Sequence, residues 1–238
     1  MPGYVYQRLD HSPDLLRLSR SFPETYPYLL ESAAHGHLGS YSLLLYASGE
    51  VLCLHPDGRL SGPGRGGSFF ERLEAWYQAE RLTPAGGEPG GHADIPFIGG
   101  WYIYLGYEAA SEIEQTLVLP QNRTGLPDAL AQRCHGALIV IHDGSGNAKD
   151  QAFAVAENED LLEEMMSSLD SVSQGECAAG SKIPAKLKHL EEQDPELFQE
   201  SIARIHEYLL AGDVFQVNIS RSWSGEFQSV IEPEAIYR

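Results

Sequence analysis

Basic residues are scarce in this chain. Lys and Arg number 16 against 34 Asp and Glu, a formal net charge of −18 over 238 residues. A surface of that sign repels phosphate backbones and anionic lipid headgroups, which argues against nucleic acid and membrane surfaces as partners. Cysteine is also sparse. Cys53, Cys134 and Cys177 are odd in number, widely spaced and form no C-x-x-C pair. That pattern argues against a disulfide framework and fits reduced thiols in a cytoplasmic protein. No segment approaches the ~18 to 20 apolar residues of a membrane span. The opening MPGYVYQRLDHSP has no apolar stretch that would serve as a signal peptide. Internal repeats, low-complexity tracts and a G-x-S-x-G nucleophile motif are lacking too. What is plentiful is apolar surface: 42% hydrophobic and 10% aromatic residues, enough for a packed core and too much for wholesale disorder.

Short apolar runs bounded by turn residues are interspersed with helical periodicity. A short helix is expected over residues 12–20 and a strand at Tyr28-Leu29-Leu30. Tyr41 to Ala47 and Glu50 to His55 flank Ser48-Gly49 and predict an antiparallel hairpin. His55-Pro56-Asp57-Gly58 predicts a turn. Ser68 and Glu71 have capping-box spacing, and Phe69, Phe70, Leu73, Trp76 and Tyr77 then recur on one helical face. Further strands are expected at Phe97 to Tyr107, Cys134 to His142 and Gln151 to Ala156, the last two joined by a turn at 143–147. Asn158 opens a helix with Leu161, Leu162, Met165, Met166 and Leu169 on one side. Residues 171–187 are small, polar and aperiodic, which marks a linker. Asp194 and Pro195 open another helix with Phe198, Ile202, Ile205 and Leu209 on one face, and Gly212 ends it. Val214 to Arg221 then alternates as a strand. Hairpins rather than repeated βαβ units predict an α+β fold.

Several constellations have a bland reading beside a chemical one. Gly62 to Gly67 matches G-x-G-x-x-G, but the preceding strands read as a hairpin, so a connecting loop is expected rather than a dinucleotide site. His35 and His37 fall short of a zinc ligand set. His142 and Asp143 lie at a strand end, and a serine–histidine–acid triad stays open there. The acidic runs at 157–160 and 191–192 read as solvated helix starts. Gly99-Gly100 inside the aromatic stretch FIGGWYIYLGYE is harder to dismiss, because two glycines in a strand cost backbone entropy and bury no side chain. In AGDVFQVNISR, alternation places Gln216 and Asn218 on one face. Two amides there suit either an amino-acid ligand or neighbouring backbone.

Three ordered motifs resemble the chorismate-binding enzymes, the large components of anthranilate synthase and aminodeoxychorismate synthase. They are Leu29-Leu30-Glu31-Ser32 with Tyr41-Ser42, then Phe97-x-Gly99-Gly100 with Gly106-Tyr107-Glu108, then Gly212-Asp213-Val214-Phe215-Gln216-Val217-Asn218. The resemblance runs from about Tyr28 to the end. It implies an anthranilate synthase component I-like α+β fold of stacked antiparallel sheets flanked by helices. The corresponding expected layout is an amino-terminal domain over 1–170, a linker over 171–192 and the start of a chorismate-binding domain over 193–238.

By the same resemblance, the whole protein would aminate chorismate with Mg2+ and with ammonia from a glutamine amidotransferase subunit. The catalytic residues, including a lysine-bearing segment and the glutamates that bind Mg2+, are expected beyond Arg238, so the chain alone is expected to be inactive. Asn218 in the third motif resembles the aminodeoxychorismate branch of folate biosynthesis, which is the expected branch. Leu-Leu-Glu-Ser resembles the anthranilate branch of tryptophan biosynthesis. The family's second ligand, tryptophan, implies a pocket at Ser32, Tyr41, Ser42, Gly212, Asp213, Phe215 and Asn218. No arginine stands beside Tyr41-Ser42, where relatives often carry one; the neighbours are Ser40 and Leu43. A non-catalytic amino-acid-binding module is the alternative for this chain taken alone.

Overall fold

The computed structural model describes residues 4–32, 39–81, 95–114, 116–142, 150–174, 186–231 and 234–237. It divides into two compact units, Met1–Gly175 and Glu176–Arg238.

The first unit is a seven-stranded antiparallel sheet with helices on it. Its elements are β1 (Val5–Leu9), α1 (Leu15–Ser21), β2 (Tyr28–Leu30), β3 (Tyr41–Leu54), β4 (Leu60–Ser61), α2 (Phe69–Glu80), β5 (Gly100–Leu105), a 3-10 turn (Tyr107–Ala109), α3 (Ala110–Ile113), β6 (Ala129–Ile141), β7 (Gln151–Ala156) and α4 (Glu159–Gln174). The strand order is β1-β7-β6-β3-β2, with β4 added to β3 and β5 added to β6. The expected mixture of helix and antiparallel sheet is what the chain forms.

Helix starts follow the side-chain chemistry. Asp14 accepts the Arg17 amide at 2.9 Å, and Asn158 accepts the Leu161 amide at 3.0 Å. Ser68 and Glu71 make the reciprocal capping box, each taking one amide that the first turn leaves unpaired.

One expectation fails in an instructive way. Tyr41 to His55 is not a hairpin: it is essentially the single strand β3, paired with β6 from Tyr41↔Ile141 to Leu54↔Ala129. The register slips between Tyr46 and Val51, and Gly49 takes φ +83° there. Both halves find their partner in the 13-residue β6, so Ser48-Gly49 makes a bulge and not a reversal. The chain turns back at His55–Gly58, where the Gly58 amide donates to the His55 carbonyl at 2.8 Å.

Alternation along β3, β6 and β7 covers both sheet faces. Leu44, Tyr46, Leu138, Val140 and Ala154 pack against Leu15 and Leu18 of α1 and Met165 of α4. Leu45, Ala47, Ile139, Phe153 and Val155 form the opposite face, beneath Phe97 and Tyr102. Past the bulge, Leu52, Leu54, Ala129 and Ala131 pack on Phe69 and Trp76 of α2.

The second unit pairs β8 (Leu187–Glu192) with β9 (Trp223–Phe227) and carries α5 (Pro195–Ala211) and α6 (Glu234–Tyr237). Asp194 caps α5 by accepting the Glu196 amide at 2.9 Å, Pro195 opens it, and Gly212 closes it at φ +80°. The stretch 171–192, expected as a linker, is helical to Gln174 and extended from Leu187 to Glu192, while 175–185 lie outside the described residues. Residues Val214 to Arg221, expected as a strand, belong to no sheet. The strand that pairs with β8 is Trp223–Phe227, further along the chain.

Candidate functional site

Four adjacent strands bring one polar row to the end of the first unit's sheet. The pairings Leu30↔Leu43, Ser42↔Val140 and Ile141↔Gln151 set the register. Continuing them places Ser32 opposite Tyr41, His142 diagonally across from Ser42, and Asp150 opposite His142. The Ser32 amide donates to Ser42 Oγ at 3.1 Å, and the Ser32 hydroxyl donates to the Tyr41 carbonyl at 2.7 Å. Ser42 Oγ lies 2.8 Å from His142 Nε2, and His142 Nδ1 lies 2.9 Å from Asp150 Oδ2. In the neutral tautomer whose Nδ1–H donates to Asp150, Nε2 accepts the Ser42 hydroxyl proton. Ser42 follows the inward alternation of Leu44 and Tyr46 and is only 3% exposed.

Chemically, this row presents Ser32 as an acceptor. Its proton is committed to Tyr41, so its free lone pairs suit an incoming donor such as an ammonium group. The structure therefore brings Ser32, Tyr41 and Ser42 together. His142 was visible in the sequence as a triad candidate. Asp150 is its acidic partner, and strand register alone identifies it. Asp143 itself lies outside the described residues, as do His35 and His37.

A second polar cluster explains the paired glycines. Along β6 the partner changes from β5, up to Cys134↔Gly100, to β7, from Gly136↔Ala156. Arg133 stands at this fork, 4% exposed. It donates to the Gly100 carbonyl at 2.9 Å and the Cys134 carbonyl at 2.6 Å, pairs with Glu157, and lies 4.5 Å from the Trp101 ring centroid. His135 Nδ1 meets the other Glu157 oxygen at 3.1 Å. A Cβ on Gly99, at φ +128°, would sit 2.7 Å from Glu157 Oε1. Gly99 is thus small to admit a carboxylate, and Gly100 lends its carbonyl to the arginine. The motif fastens the fork in the sheet and makes no open site.

The glycine-rich loop is structural as well. A Cβ at Gly62 would fall 2.0 Å from the Val51 carbonyl oxygen, and at Gly64 2.2 Å from that of Arg72. Glu71 Oε2 accepts the Gly67 and Ser68 amides, and Glu112 accepts the Phe69 amide at 2.7 Å. Carboxylates of the chain already occupy the start of α2 where a phosphate would bind. Burial pushes the Cys134 thiol up to about 11 and raises that of Cys53, so neither is a ready nucleophile. Among the described residues no group of three or more His, Cys, Asp or Glu side chains could hold a metal ion. No helix among them is long and apolar enough to cross a membrane.

The remaining predicted residues lie in the second unit. Gly212 is the αL cap of α5, and the Asp213 amide donates to the Tyr208 carbonyl at 3.0 Å. Phe215 is fully exposed. The Gln216 amide donates to Asn218 Oδ1 at 3.2 Å, so the two amides pair with each other.

A sheet of this topology, with the Ser32–Ser42 pair at its end and the glycine pair at its fork, accompanies a match to the family described as chorismate binding enzyme over residues 29–238. The chain belongs to that family. It is 26% identical to anthranilate synthase component 1 of Cereibacter sphaeroides, covering 98% of this chain and 50% of the relative. It is 29% identical to the protein of the same name from Neisseria meningitidis serogroup B, covering 90% of this chain and 45% of that one. The crystal structure of anthranilate synthase component I from Streptococcus pneumoniae superposes with a TM-score of 0.55 at 18% identity, over 88% of this chain and 46% of that one, a likeness of fold. The chain spans about half the length of the curated relatives it matches.

Proposed function

We propose that the protein to which this chain belongs is the large component of a synthase that aminates chorismate with ammonia from a glutamine amidotransferase partner. The observation that carries this reading is the family match across residues 29–238. Mg2+ would serve that reaction through residues outside this chain. The relatives' names favour the anthranilate reaction. Asn218, with the Gln-Val-Asn around it, favours aminodeoxychorismate as a second reading. Incubating the full-length protein with chorismate, ammonium and Mg2+ decides between them. Fluorescent anthranilate supports the first; a product that an added lyase converts to 4-aminobenzoate supports the second. No chorismate consumption by folded protein would reject both. Residues 1–238 alone should form neither product.

We also propose an amino-acid ligand, tryptophan in the first instance, for the Ser32–Tyr41–Ser42 end of the sheet. The acceptor-only Ser32 hydroxyl supports it. The assignments of Gly212, Asp213, Phe215 and Asn218 rest on motif resemblance and are tested separately, by titrating Phe215→Ala. Absence of heat on titrating tryptophan into the folded wild-type chain would reject the ligand.

A further inference from the structure

His142 and Asp150 have no part in the function proposed above, yet they are wired to its ligand end. A serine–histidine–aspartate chain invites reading as a nucleophilic triad. Two observations oppose that. Ser42 is 3% exposed, and its oxygen already accepts the Ser32 amide. No electrophile could reach it without unmaking the row.

Donation runs instead from the Ser32 amide through Ser42 and His142 to Asp150, and the orientation that Asp150 imposes is passed back the other way. Asp150 Oδ2 stands 2.9 Å from His142 Nδ1 and, as an acceptor, favours the Nδ1–H tautomer. The Nε2 lone pair then takes the Ser42 hydroxyl proton across 2.8 Å. With its proton fixed, the Ser42 oxygen has its lone pairs turned to the Ser32 amide. Ser32, held by its amide, directs its own proton to the Tyr41 carbonyl and keeps its lone pairs outward. Each step removes one rotational choice from the next group. Arg8 of β1 and Asp10 just after it, with Gln151, line the cleft beside Asp150.

We propose that His142 and Asp150 are positioning residues that orient Ser42, and through it the Ser32 amide and hydroxyl, for an amino-acid ligand. The proposal rests on the reading of Ser32, Tyr41 and Ser42 as a ligand site. Its wiring and its purpose are separately testable on the 238-residue chain. Nitrogen-resolved NMR of the His142 ring should show the Nδ1–H tautomer, and the Nε2–H tautomer would overturn the wiring. Ser32 amide exchange should rise about tenfold in His142→Ala, the loss of one hydrogen bond's restraint. A Gln side chain reaches the position of Nε2, whereas Asn reaches only that of Nδ1. His142→Gln should therefore restore Ser32 protection and His142→Asn should not; equal exchange in the two would overturn the wiring. If the histidine variants fail to fold, Asp150→Leu, at the half-exposed end of the row, removes the Nδ1 acceptor and should likewise raise Ser32 exchange; unchanged exchange would overturn the wiring. Tryptophan calorimetry should show a Kd at least several-fold weaker for His142→Asn than for His142→Gln. Equal affinities would overturn the positioning role. A wild-type chain with the expected exchange pattern but no heat would overturn the ligand and leave the wiring standing.

Discussion

The two units carry helix signals of equal quality and bury very different amounts of chain. In the first, Leu44, Leu52, Leu138, Ile139 and Phe153 are sealed between sheet faces and helices. In the second, no described residue is buried. α5 nevertheless has an Asp cap, a proline start, a glycine stop and an apolar line of Phe198, Ile202, Ile205 and Leu209. Local signals thus choose the helix, but most of a helix's stability in proteins comes from what its apolar face covers. The largest expected effect follows from separating the units. Residues 1–175 should unfold cooperatively in urea, followed by circular dichroism. Residues 176–238 should lose signal gradually from zero denaturant. A sharp transition for the second piece would refute the contrast.

The same difference in burial should govern two arginines of similar surroundings. Arg133 pairs with Glu157 beneath Trp101, its side chain 4% exposed. Arg221 pairs with Glu192 beside Trp223 and Phe198, its side chain 25% exposed and its partner's 45%. Removing one partner of a buried pair strands the other charge, at about 3–5 kcal/mol. A pair open to water contributes at most about 1 kcal/mol. Arg133→Ala should therefore lower the urea midpoint of the first unit by that larger amount, while Arg221→Ala should change helix content little. Equal effects would mean that the fork is not held by its arginine.

Buried tyrosines offer a smaller probe. Tyr26 and Tyr46 meet edge-on in the core, and burial pushes both hydroxyls up to about 12. The unfolded chain releases these protons near pH 10 and the folded chain holds them to about 12. Their contribution is fully present below pH 10 and is lost as pH rises through the folded value. Melting temperature of the first unit should fall across that window, and Tyr26→Phe should flatten the fall. An unchanged slope in the variant would place the alkaline transition elsewhere.

These contrasts also show what the sequence made legible. The capping box at Ser68, the start and end of α5 and the apolar strands at 28–30, 134–141 and 151–156 are local signals, and they were readable. The β3 bulge was not, because Ser48-Gly49 reads as a turn until the 13-residue partner β6 is known. The extension of β6 back to Ala129 was hidden by Gln132 and Arg133, which look like surface residues but are buried with partners. The Ser32–Tyr41–Ser42 group was legible by resemblance, and His142 by its place at a strand end. Asp150 was not, since nothing local sets it apart and only register puts it opposite His142.

The paired glycines give the finest test of the contrast. Gly99 and Gly212 both hold positive φ, +128° and +80°. Strain alone would make their substitution similarly costly, on the order of 1–2 kcal/mol. Their surroundings differ: a Cβ at Gly212 meets open space, while at Gly99 it meets the Glu157 carboxylate at 2.7 Å. Gly99→Ala must therefore displace Glu157 from Arg133 as well as strain the backbone. It should cost about 1 kcal/mol or more beyond Gly212→Ala, with the excess drawn from the buried pair. A double-mutant cycle isolates that excess. In an Arg133→Met, Glu157→Leu background the excess should vanish. If Gly99→Ala remains equally costly there, the glycine serves backbone conformation alone and the fork does not depend on the room it makes.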